Sequence, residues 1–329
     1  MKFILSIPKI IPILLLATVT MTSCTSDDND TEPQELSIVE TALATPELSS
    51  LVAALQAADG DLISVINNGT FTVLAPTNTA FNTFLAANGF ASLDDVPTDI
   101  LATILLNHVI TGEVSSSALI NGGAGYTSTN AANADGDNLS LYFNTSAGVT
   151  FNGVSTVSTA DVEASNGIVH IVDAVIGLPT IVTFATADPN FSTLVAALTR
   201  DDLTFDYVTT LSTPEGTAPA PFTVFAPTNE AFGDLLTELG ANSLDDIDEP
   251  TLKATLDHHA VAAANVRAED LVQNMVIGTL GGDITASLDA GPQLIDANDR
   301  ISNIIATNVQ AFNGVIHAID KVILPPLTE

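Results

Sequence analysis

One block of sequence is written twice in this chain, and this duplication constrains the fold more than any other feature. The first copy contains FTVLAPTNTAF at Phe71–Phe81, and the second contains FTVFAPTNEAF at Phe222–Phe232. Each copy later closes with an Asn-Gly stretch, NGIVHIVDAVIGLP from Asn166 and NGVIHAIDKVILPP from Asn313. Unrelated segments do not share both the same residues and the same order of motifs, so the sequence predicts two domains of one fold.

The spacing inside the repeat predicts where the copies differ. Phe71 and His108 are as far apart as Phe222 and His259, so no residue is inserted between these positions. The second copy is longer between its Leu-Val-Ala-Ala-Leu helix, Leu194–Leu198, and Phe222. We expect the extra residues in Ser212–Pro221, because its Pro, Gly, Ser and Thr residues are typical of a loop.

The residue patterns of the first copy predict helices early and strands late. Apolar residues recur at helical spacing in Leu48–Ala58 and Pro97–Asn107, and a further helix follows the Thr77-Asn78 cap. Phe71–Ala75 reads as a strand, and Ile168–Ile176 reads as a strand buried on both faces. Because helices and strands do not alternate regularly, the fold class predicted for each domain is α+β.

The N-terminus has the features of an export signal. A short basic start and an apolar run precede Cys24, the one cysteine of the chain, so residues 1–23 are predicted to be a lipoprotein signal peptide with Cys24 as lipid anchor. The alternative is an ordinary secretion signal that contains a cysteine. Residues 24–35 are acidic and polar, which predicts a solvated tether; Ser26-Asp27-Asp28 is either a surface-export signal or a spacer.

The charge of the chain excludes one class of partner. The sequence has 39 acidic and 7 basic residues, with a formal net charge of −32. Such a surface repels phosphate backbones and anionic headgroups, so we expect no nucleic-acid partner and membrane attachment through the lipid alone. The 46% hydrophobic content predicts two well-packed cores.

The repeated motifs carry a family resemblance. The Ala-Pro-Thr-Asn-x-Ala-Phe block, the Leu-x-x-His block and the Asn-Gly-x-x-His-x-x-Asp block resemble those of the fasciclin domain. The resemblance covers domain 1, residues 36–179, and domain 2, residues 180–326. It implies, for each domain, a compact wedge or sandwich of about seven strands with packed helices, and an association with cell adhesion and extracellular matrix. The motif positions, which we expect to be structural, are Pro76, Asn78, His108, Asn166, His170, Pro227, Asn229, His259, Asn313 and His317.

The resemblance fails at one functional position. In this family, adhesion is associated partly with a Tyr-His pair. At the corresponding positions this chain has Asn107-His108 in the first copy and His258-His259 in the second. We therefore do not transfer an integrin-type contact. Asn107 and His258 remain candidate exposed binding positions, with His258 expected to be more exposed than His259.

The other polar clusters have sufficient structural explanations. No histidine spacing suits a metal, and Asn133–Asn138 is better explained as a hairpin turn than as a calcium loop. The pairs Asp94-Asp95 and Asp245-Asp246 precede helices, where acidic residues favour the positive end of the dipole. We predict no catalytic, cofactor or metal residue.

These observations predict a non-enzymatic, two-domain lipoprotein. It is expected on the outer membrane, facing outwards, where it binds an extracellular protein or glycan through the faces of its domains, and its short junction predicts limited hinge freedom. The alternatives are a glycan-binding module, which needs a groove lined by aromatics, and a hydrolase with an unrecognised site.

Overall fold

The structure of the protein is a computed structural model that describes residues 35–326. The predicted signal peptide, Cys24 and the tether up to Gln34 lie outside the described residues. Residues 35–326 belong to one compact unit that contains both predicted domains.

Domain 1 contains six α-helices and seven strands within the described residues. The helices are α1 Ile38–Ala44, α2 Ser49–Ala57, α3 Leu62–Asn67, α4 Asn78–Ala87, α5 Thr98–Leu106 and α6 Ser116–Gly122. The strands are β1 Phe71–Pro76, β2 Val109–Thr111, β3 Ala124–Ala132, β4 Asn138–Asn144, β5 Thr150–Phe151, β6 Ser155–Ala164 and β7 Gly167–Val172.

Domain 2 repeats this order without a counterpart of α6 among the described α-helices. Its helices are α7 Ile181–Ala187, α8 Ser192–Leu198, α9 Tyr207–Leu211, α10 Asn229–Leu239 and α11 Glu249–Asp257. Its strands are β8 Phe222–Pro227, β9 Ala260–Ala262, β10 Val276–Gly278, β11 Asp283–Ser287, β12 Gln293–Ile295, β13 Ile301–Ala311 and β14 Gly314–Ile319. Short 3-10 turns occupy Pro46–Leu48, Leu93–Asp95, Pro189–Phe191, Leu244–Asp246 and Ala268–Asp270.

The two sheets have the same topology. The strand order is β2-β1-β7-β6-β5-β4-β3 in domain 1 and, read from the other edge, β9-β8-β14-β13-β12-β11-β10 in domain 2. The pairs β1–β7 and β8–β14 are parallel, and the other named pairs are antiparallel. The predicted α+β class and the predicted duplication of one fold are both confirmed.

The Asn-Gly motif begins the parallel pair in each domain. Gly167 pairs with Phe71 and has a φ of +143°, and a Cβ at this position would lie 1.9 Å from the Phe71 carbonyl oxygen. Gly314 stands in the same relation to Phe222, with a φ of +150°. Only glycine permits this close approach of the two backbones, which explains why the motif needs glycine here.

The helices cover the motif strands of each sheet. In domain 1 the buried core joins α1 to α5 with residues of β1 and β7, and in domain 2 the equivalent core joins α7 to α11 with β8 and β14. Pro76 and Pro227 are the last residues of β1 and β8, and both are buried. Tyr142 of domain 1 belongs to the core of domain 2, so the two cores meet at the domain boundary.

Several predicted boundaries are wrong. The strand predicted over Ile168–Ile176 ends at Val172, because the chain leaves the sheet at Asp173. The extra residues of domain 2 lie in two loops: Ser212–Pro221, as predicted, and also Thr199–Asp206, where domain 1 has only Ala58–Asp61.

Within residues 35–326, no single helix is long and apolar enough to cross a membrane. Two sharply bent pairs, Ile38–Ala44 with Pro46–Ala57 and Ile181–Ala187 with Pro189–Leu198, reach the required length and hydropathy only together.

Candidate functional site

The motif asparagines that follow Ala-Pro-Thr join separate pieces of backbone. Asn229 Oδ1 accepts a hydrogen bond from the Thr193 amide at 2.8 Å, and its Nδ2 donates to the Pro189 carbonyl at 2.8 Å. Asn78 makes the same two bonds in domain 1. Each asparagine therefore fixes the start of one helix against the start of another.

The asparagines of the Asn-Gly motif make a second set of bonds. Asn313 is fully buried; its Oδ1 accepts from the Ile181 amide at 2.9 Å, and its Nδ2 donates to the carbonyls of Leu211 and Thr213, both at 2.9 Å. Asn166 makes the matching three bonds at the start of domain 1. These side chains fasten the first helix of each domain to the end of the third.

His108 and His259 are buried and use both ring nitrogens. His108 Nε2 accepts from the Ile176 amide at 2.9 Å, so its Nδ1 carries the proton and donates to the Ile104 carbonyl at 2.8 Å. His259 makes the same pair of bonds in domain 2. Burial disfavours the charged ring and lowers the pKa of each histidine from 6.5 to about 4.

His170 and His317 stabilise a bulge in the long strand beside them. Asp161 has a φ of +54°, and its amide donates to His170 Nδ1 at 3.1 Å, while His170 Nε2 donates to the Val114 carbonyl at 2.9 Å. His317 makes the same two types of bond, with Asn308 in the place of Asp161. Both imidazoles thus take up backbone groups that the bulges leave outside the ladder.

The expectation that Asn107 and His258 are exposed is wrong. Asn107 is 0% exposed; its Nδ2 donates to the Gly177 carbonyl at 3.0 Å, and its Oδ1 accepts from the Thr129 hydroxyl at 3.2 Å. His258 is 3% exposed because the backbone at Gly281 lies directly on its ring. The segment at Gly177 covers Asn107, and the segment at Gly281 covers His258. Neither side chain is available to a partner in this conformation.

The best candidate for a binding site is a cleft of about 600 Å³ where the two domains meet. Tyr126 and Tyr142 of β3 and β4 line one side. The opposite side comes from domain 2 and includes Asp188, Glu230 and Ile305. Ile305 is 56% exposed, and Glu230 is also exposed, so the cleft offers both apolar and polar groups to solvent.

The tyrosines hold the two sides of this cleft together. The Tyr126 ring lies 5.1 Å from the Tyr142 ring and 5.6 Å from the Phe184 ring, between ring centroids. Tyr126 Oη donates to Asp188 Oδ2 at 3.0 Å, while Asp188 Oδ1 accepts from the Asn190 amide at 3.0 Å. Burial, together with the charge of Asp188, raises the pKa of Tyr126, so its hydroxyl keeps the proton that it donates.

Further bonds cross the boundary away from the cleft. The backbone amide of Gln310 donates to Ser140 Oγ at 2.9 Å, and the Arg267 guanidinium lies 2.7 Å from an Asp137 carboxylate oxygen. The Asn133–Asn138 segment, whose acidic residue Asp137 makes this ion pair, forms the turn between β3 and β4. The two domains are therefore packed and bonded together, consistent with the limited hinge freedom that we expect from the junction.

The titratable side chains that line the cleft are acidic. Its described lining has two carboxylates, Asp188 and Glu230, but no histidine, lysine or arginine. Across residues 35–326, no three or more His, Cys, Asp and Glu side chains are grouped so as to hold a metal ion.

Sequence reasoning missed this cleft because the residues that hold its two sides together, Tyr126, Tyr142 and Asp188, lie outside the repeated motifs. Asp188 occupies the position of Thr45 in domain 1, immediately before the proline of the first 3-10 turn. The available signal was the difference between the copies, since Asp188 is charged and Thr45 is neutral. The pairing of Tyr126 with Tyr142, by contrast, depends on the β3–β4 register, because Tyr126 is directly opposite Tyr142.

Together these features define a class of protein: a tandem pair of α+β domains of one topology, stabilised by buried His side chains and by Asn side chains that are buried or partly buried. The family model of the fasciclin domain matches residues 46–179 and 189–325, and the chain belongs to this family.

The chain is similar to other proteins that contain fasciclin domains. It is 36% identical to a Synechocystis sp. protein over 177 residues, which cover 53% of this chain and 90% of that protein. It is 40% identical to the cell surface glycolipoprotein MPB83 of Mycobacterium bovis over 79 residues, 22% of this chain and 34% of that protein. The structure of a FAS1 domain pair from the insect cell adhesion molecule fasciclin I matches with a TM-score of 0.52 and 22% identity, over 84% of this chain and 97% of that one.

Proposed function

We propose that this protein is a non-enzymatic adhesion and binding protein of the cell envelope that engages an extracellular partner through the cleft between its two domains. The observation that carries the proposal is the cleft itself, at which Tyr126, Tyr142 and Asp188 join the two domains. Fasciclin domains also occur in an insect cell adhesion molecule and in a cell surface glycolipoprotein. The first relationship supports an adhesive role for this chain, and the second supports a position at the cell surface.

The arrangement of the cleft favours a partner that presents both apolar and uncharged polar groups. Ile305 offers an exposed apolar contact, and Asn190 and Glu230 provide exposed hydrogen-bonding groups at the same opening. Central apolar side chains with polar neighbours are the usual anatomy of a binding patch. The net charge of −32 disfavours acidic partners.

An adhesion assay with paired variants tests this proposal. Beads coated with the purified protein would be applied to immobilised extracellular proteins and to a glycan array. For any ligand that binds the parent, Ile305→Arg should weaken binding by about tenfold or more, because it replaces an exposed apolar side chain of the cleft with a charged one. Ile301→Arg is the matched control, since Ile301 lies on the same strand and is 48% exposed but does not line the cleft. Equal binding by the parent and Ile305→Arg would contradict the assignment of the cleft.

A glycan is the second candidate partner. Two of the three tyrosines of the chain, Tyr126 and Tyr142, line the cleft together with amide and carboxylate side chains, which is the mixture that sugars require. The same array separates the two candidates. A saturable, sugar-specific signal that Ile305→Arg reduces would favour the glycan, while binding only to proteins would favour adhesion through a protein partner.

We further propose attachment to the outer membrane through a lipid on Cys24, with the domains facing outwards. The proposal depends on the signal-like residues 1–23 and on Cys24 as the single cysteine of the chain. The protein should fractionate with membranes and be accessible to surface labelling on intact cells. Cys24→Ser should release it into the soluble fraction, and a variant that stays in the membrane fraction would rule out the lipid anchor.

A further inference from the structure

We propose that domain 2 contains a binding site for a small, uncharged apolar molecule, separate from the interdomain cleft. A cavity of about 150 Å³ lies between helices α7, α8 and α9 and the sheet strands β8 and β14. Its floor is formed by Val224, Ala226 and Ile316 of the strands. A dry protein cavity of about this volume binds benzene or xenon, so the size fits one aromatic ring or a compact hydrocarbon.

The polar side chains of the lining are already bonded elsewhere. Thr186 and Thr199 each donate their hydroxyl, at 2.8 Å, to a carbonyl one turn earlier in their own helices. The Tyr207 hydroxyl donates to Asp257 Oδ1 at 2.6 Å, and Asp257 does not line the cavity. The cavity therefore offers a ligand no unpaired polar side chain, and a charged or strongly polar ligand would lose its hydration without replacement.

Part of the cavity lining is exposed to solvent. The exposed members of its lining, Thr186, Thr199 and Val208, lie on three different segments and mark its opening between the helices. Val208 is 40% exposed, although it is a large apolar side chain. An apolar side chain at the entrance lets an apolar ligand pass without meeting a charged group.

Domain 1 provides an internal comparison, because the same place in its fold is nearly filled. The equivalent void, lined by Val73, Ala75 and Val169 among others, is only about 20 Å³. That volume is close to the minimum for a single water molecule. The loop before the third helix explains part of the difference: eight residues, Thr199–Asp206, precede α9, whereas four, Ala58–Asp61, precede α3. The site is therefore a property of the second copy and not of the repeated motif.

Benzene is the probe for the first experiment, with benzoate as the charged control. Benzene should bind saturably, shift the methyl resonances of Val224 and Ile316 in NMR spectra, and raise the melting temperature by about 2 °C or more. Benzoate should do neither, because its carboxylate would be buried without a partner. Shifts that are absent, or that spread over both domains without saturating, would overturn the proposal.

A pair of matched variants locates the effect. Ala185 lines the cavity on α7, and Ala42 lines the small void at the same position of α1. Ala185→Leu should fill the cavity and weaken benzene binding at least tenfold without lowering the melting temperature. Ala42→Leu should lower the melting temperature by overpacking and leave benzene binding intact. Unchanged benzene binding in Ala185→Leu would place the ligand elsewhere and contradict the site.

Xenon tests the location without any substitution. In crystals of the parent protein under xenon pressure, one xenon atom should lie among Val224, Ala226 and Leu194, and none at the equivalent place in domain 1. Xenon bound only in the interdomain cleft, or equally in both domains, would overturn the proposal. Failure of this site would not affect the proposed adhesion, because the two sites share only Phe191 among their described lining residues.

Discussion

Domain 1 and domain 2 are the same fold with different interiors. Their strand orders match, and equivalent asparagines and histidines make equivalent bonds in both. Yet the space beneath the first three helices is about 20 Å³ in domain 1 and about 150 Å³ in domain 2. The motif residues therefore fix how the helices are attached to the sheet, whereas the loop before the third helix contributes to how closely the helices pack on it.

A second difference lies at the boundary between the domains. Asp188 caps a 3-10 turn in domain 2 and accepts a bond from Tyr126, whereas Thr45 at the same place in domain 1 makes no side-chain cap bond. The one residue Asp188 thus both caps a 3-10 turn and bonds the two domains together. At this position, divergence between the copies contributes to the domain contact beside the cleft that we assign to binding.

The largest difference that we expect between the domains concerns the Asn-Gly asparagines. Asn313 is 0% exposed, so Asn313→Ala would leave one amide and two carbonyls without partners in a dry site. We expect a loss of about 4 kcal/mol in the free energy of unfolding. Asn166 is only partly buried, so water can replace the lost bonds, and Asn166→Ala should cost about 2 kcal/mol.

Urea denaturation with hydrogen exchange resolved by domain measures both variants. Exchange should increase first in α7 and α9 for Asn313→Ala, and in α1 and α3 for Asn166→Ala. Equal losses for the two substitutions would show that the difference in burial has no energetic consequence.

The second prediction converts domain 2 to the domain 1 residue at one position. Asp188→Thr should remove the bond from Tyr126 and weaken the cap on Asn190, since threonine is shorter and uncharged. Hydrogen bonds to charged groups are the stronger ones, so we expect a loss of about 2 kcal/mol.

Small-angle scattering and tyrosine fluorescence would report this loosening of the domain contact. Thr45→Asp is the reciprocal control, because it adds the charged residue to domain 1, where Tyr126 is not its partner. If Asp188→Thr leaves both stability and scattering unchanged, the Tyr126 bond does not hold the domains together.

The structural features that occur in both domains could be predicted from the sequence. The duplicated Phe-Thr-Val block, the proline that ends β1 and the cap before α4 were all predictable from local chemistry, and the structure contains each of them. The Asn-Gly glycine was visible as a motif, although its reason, the approach of the Phe71 carbonyl, needs the parallel pairing of β1 with β7.

The features that do not repeat were not predictable. Asn107 and His258 look exposed at the end of a helix, but the chain that covers them comes from distant positions, Gly177 and Gly281. Likewise, the cavity of domain 2 arises from residues that are individually ordinary apolar core positions. Burial by remote segments and imperfect packing are properties of the assembled fold, which no local pattern encodes.

The smallest difference that we expect concerns His108 and His259, which should titrate alike. Their neighbours differ: His259 follows His258, which lowers its pKa, and faces Asp296, which raises it, whereas His108 follows the neutral Asn107. Burial is the largest cause for both, the two neighbours of His259 shift its pKa in opposite directions, and both pKa values are about 4.

Because the folded pKa of each ring lies below its ordinary value of 6.5, the unfolded chain takes up protons first as the pH falls. The stability that each neutral ring contributes is complete above about pH 6.5 and is lost towards pH 4, by about 2 kcal/mol per histidine between pH 7 and pH 5. NMR spectra of the ring carbons should show both imidazoles neutral at pH 5, each as the tautomer protonated at Nδ1. A ring that titrates near pH 6.5 in only one domain would mean that water reaches that histidine. His108 and His259 would then not be structurally equivalent.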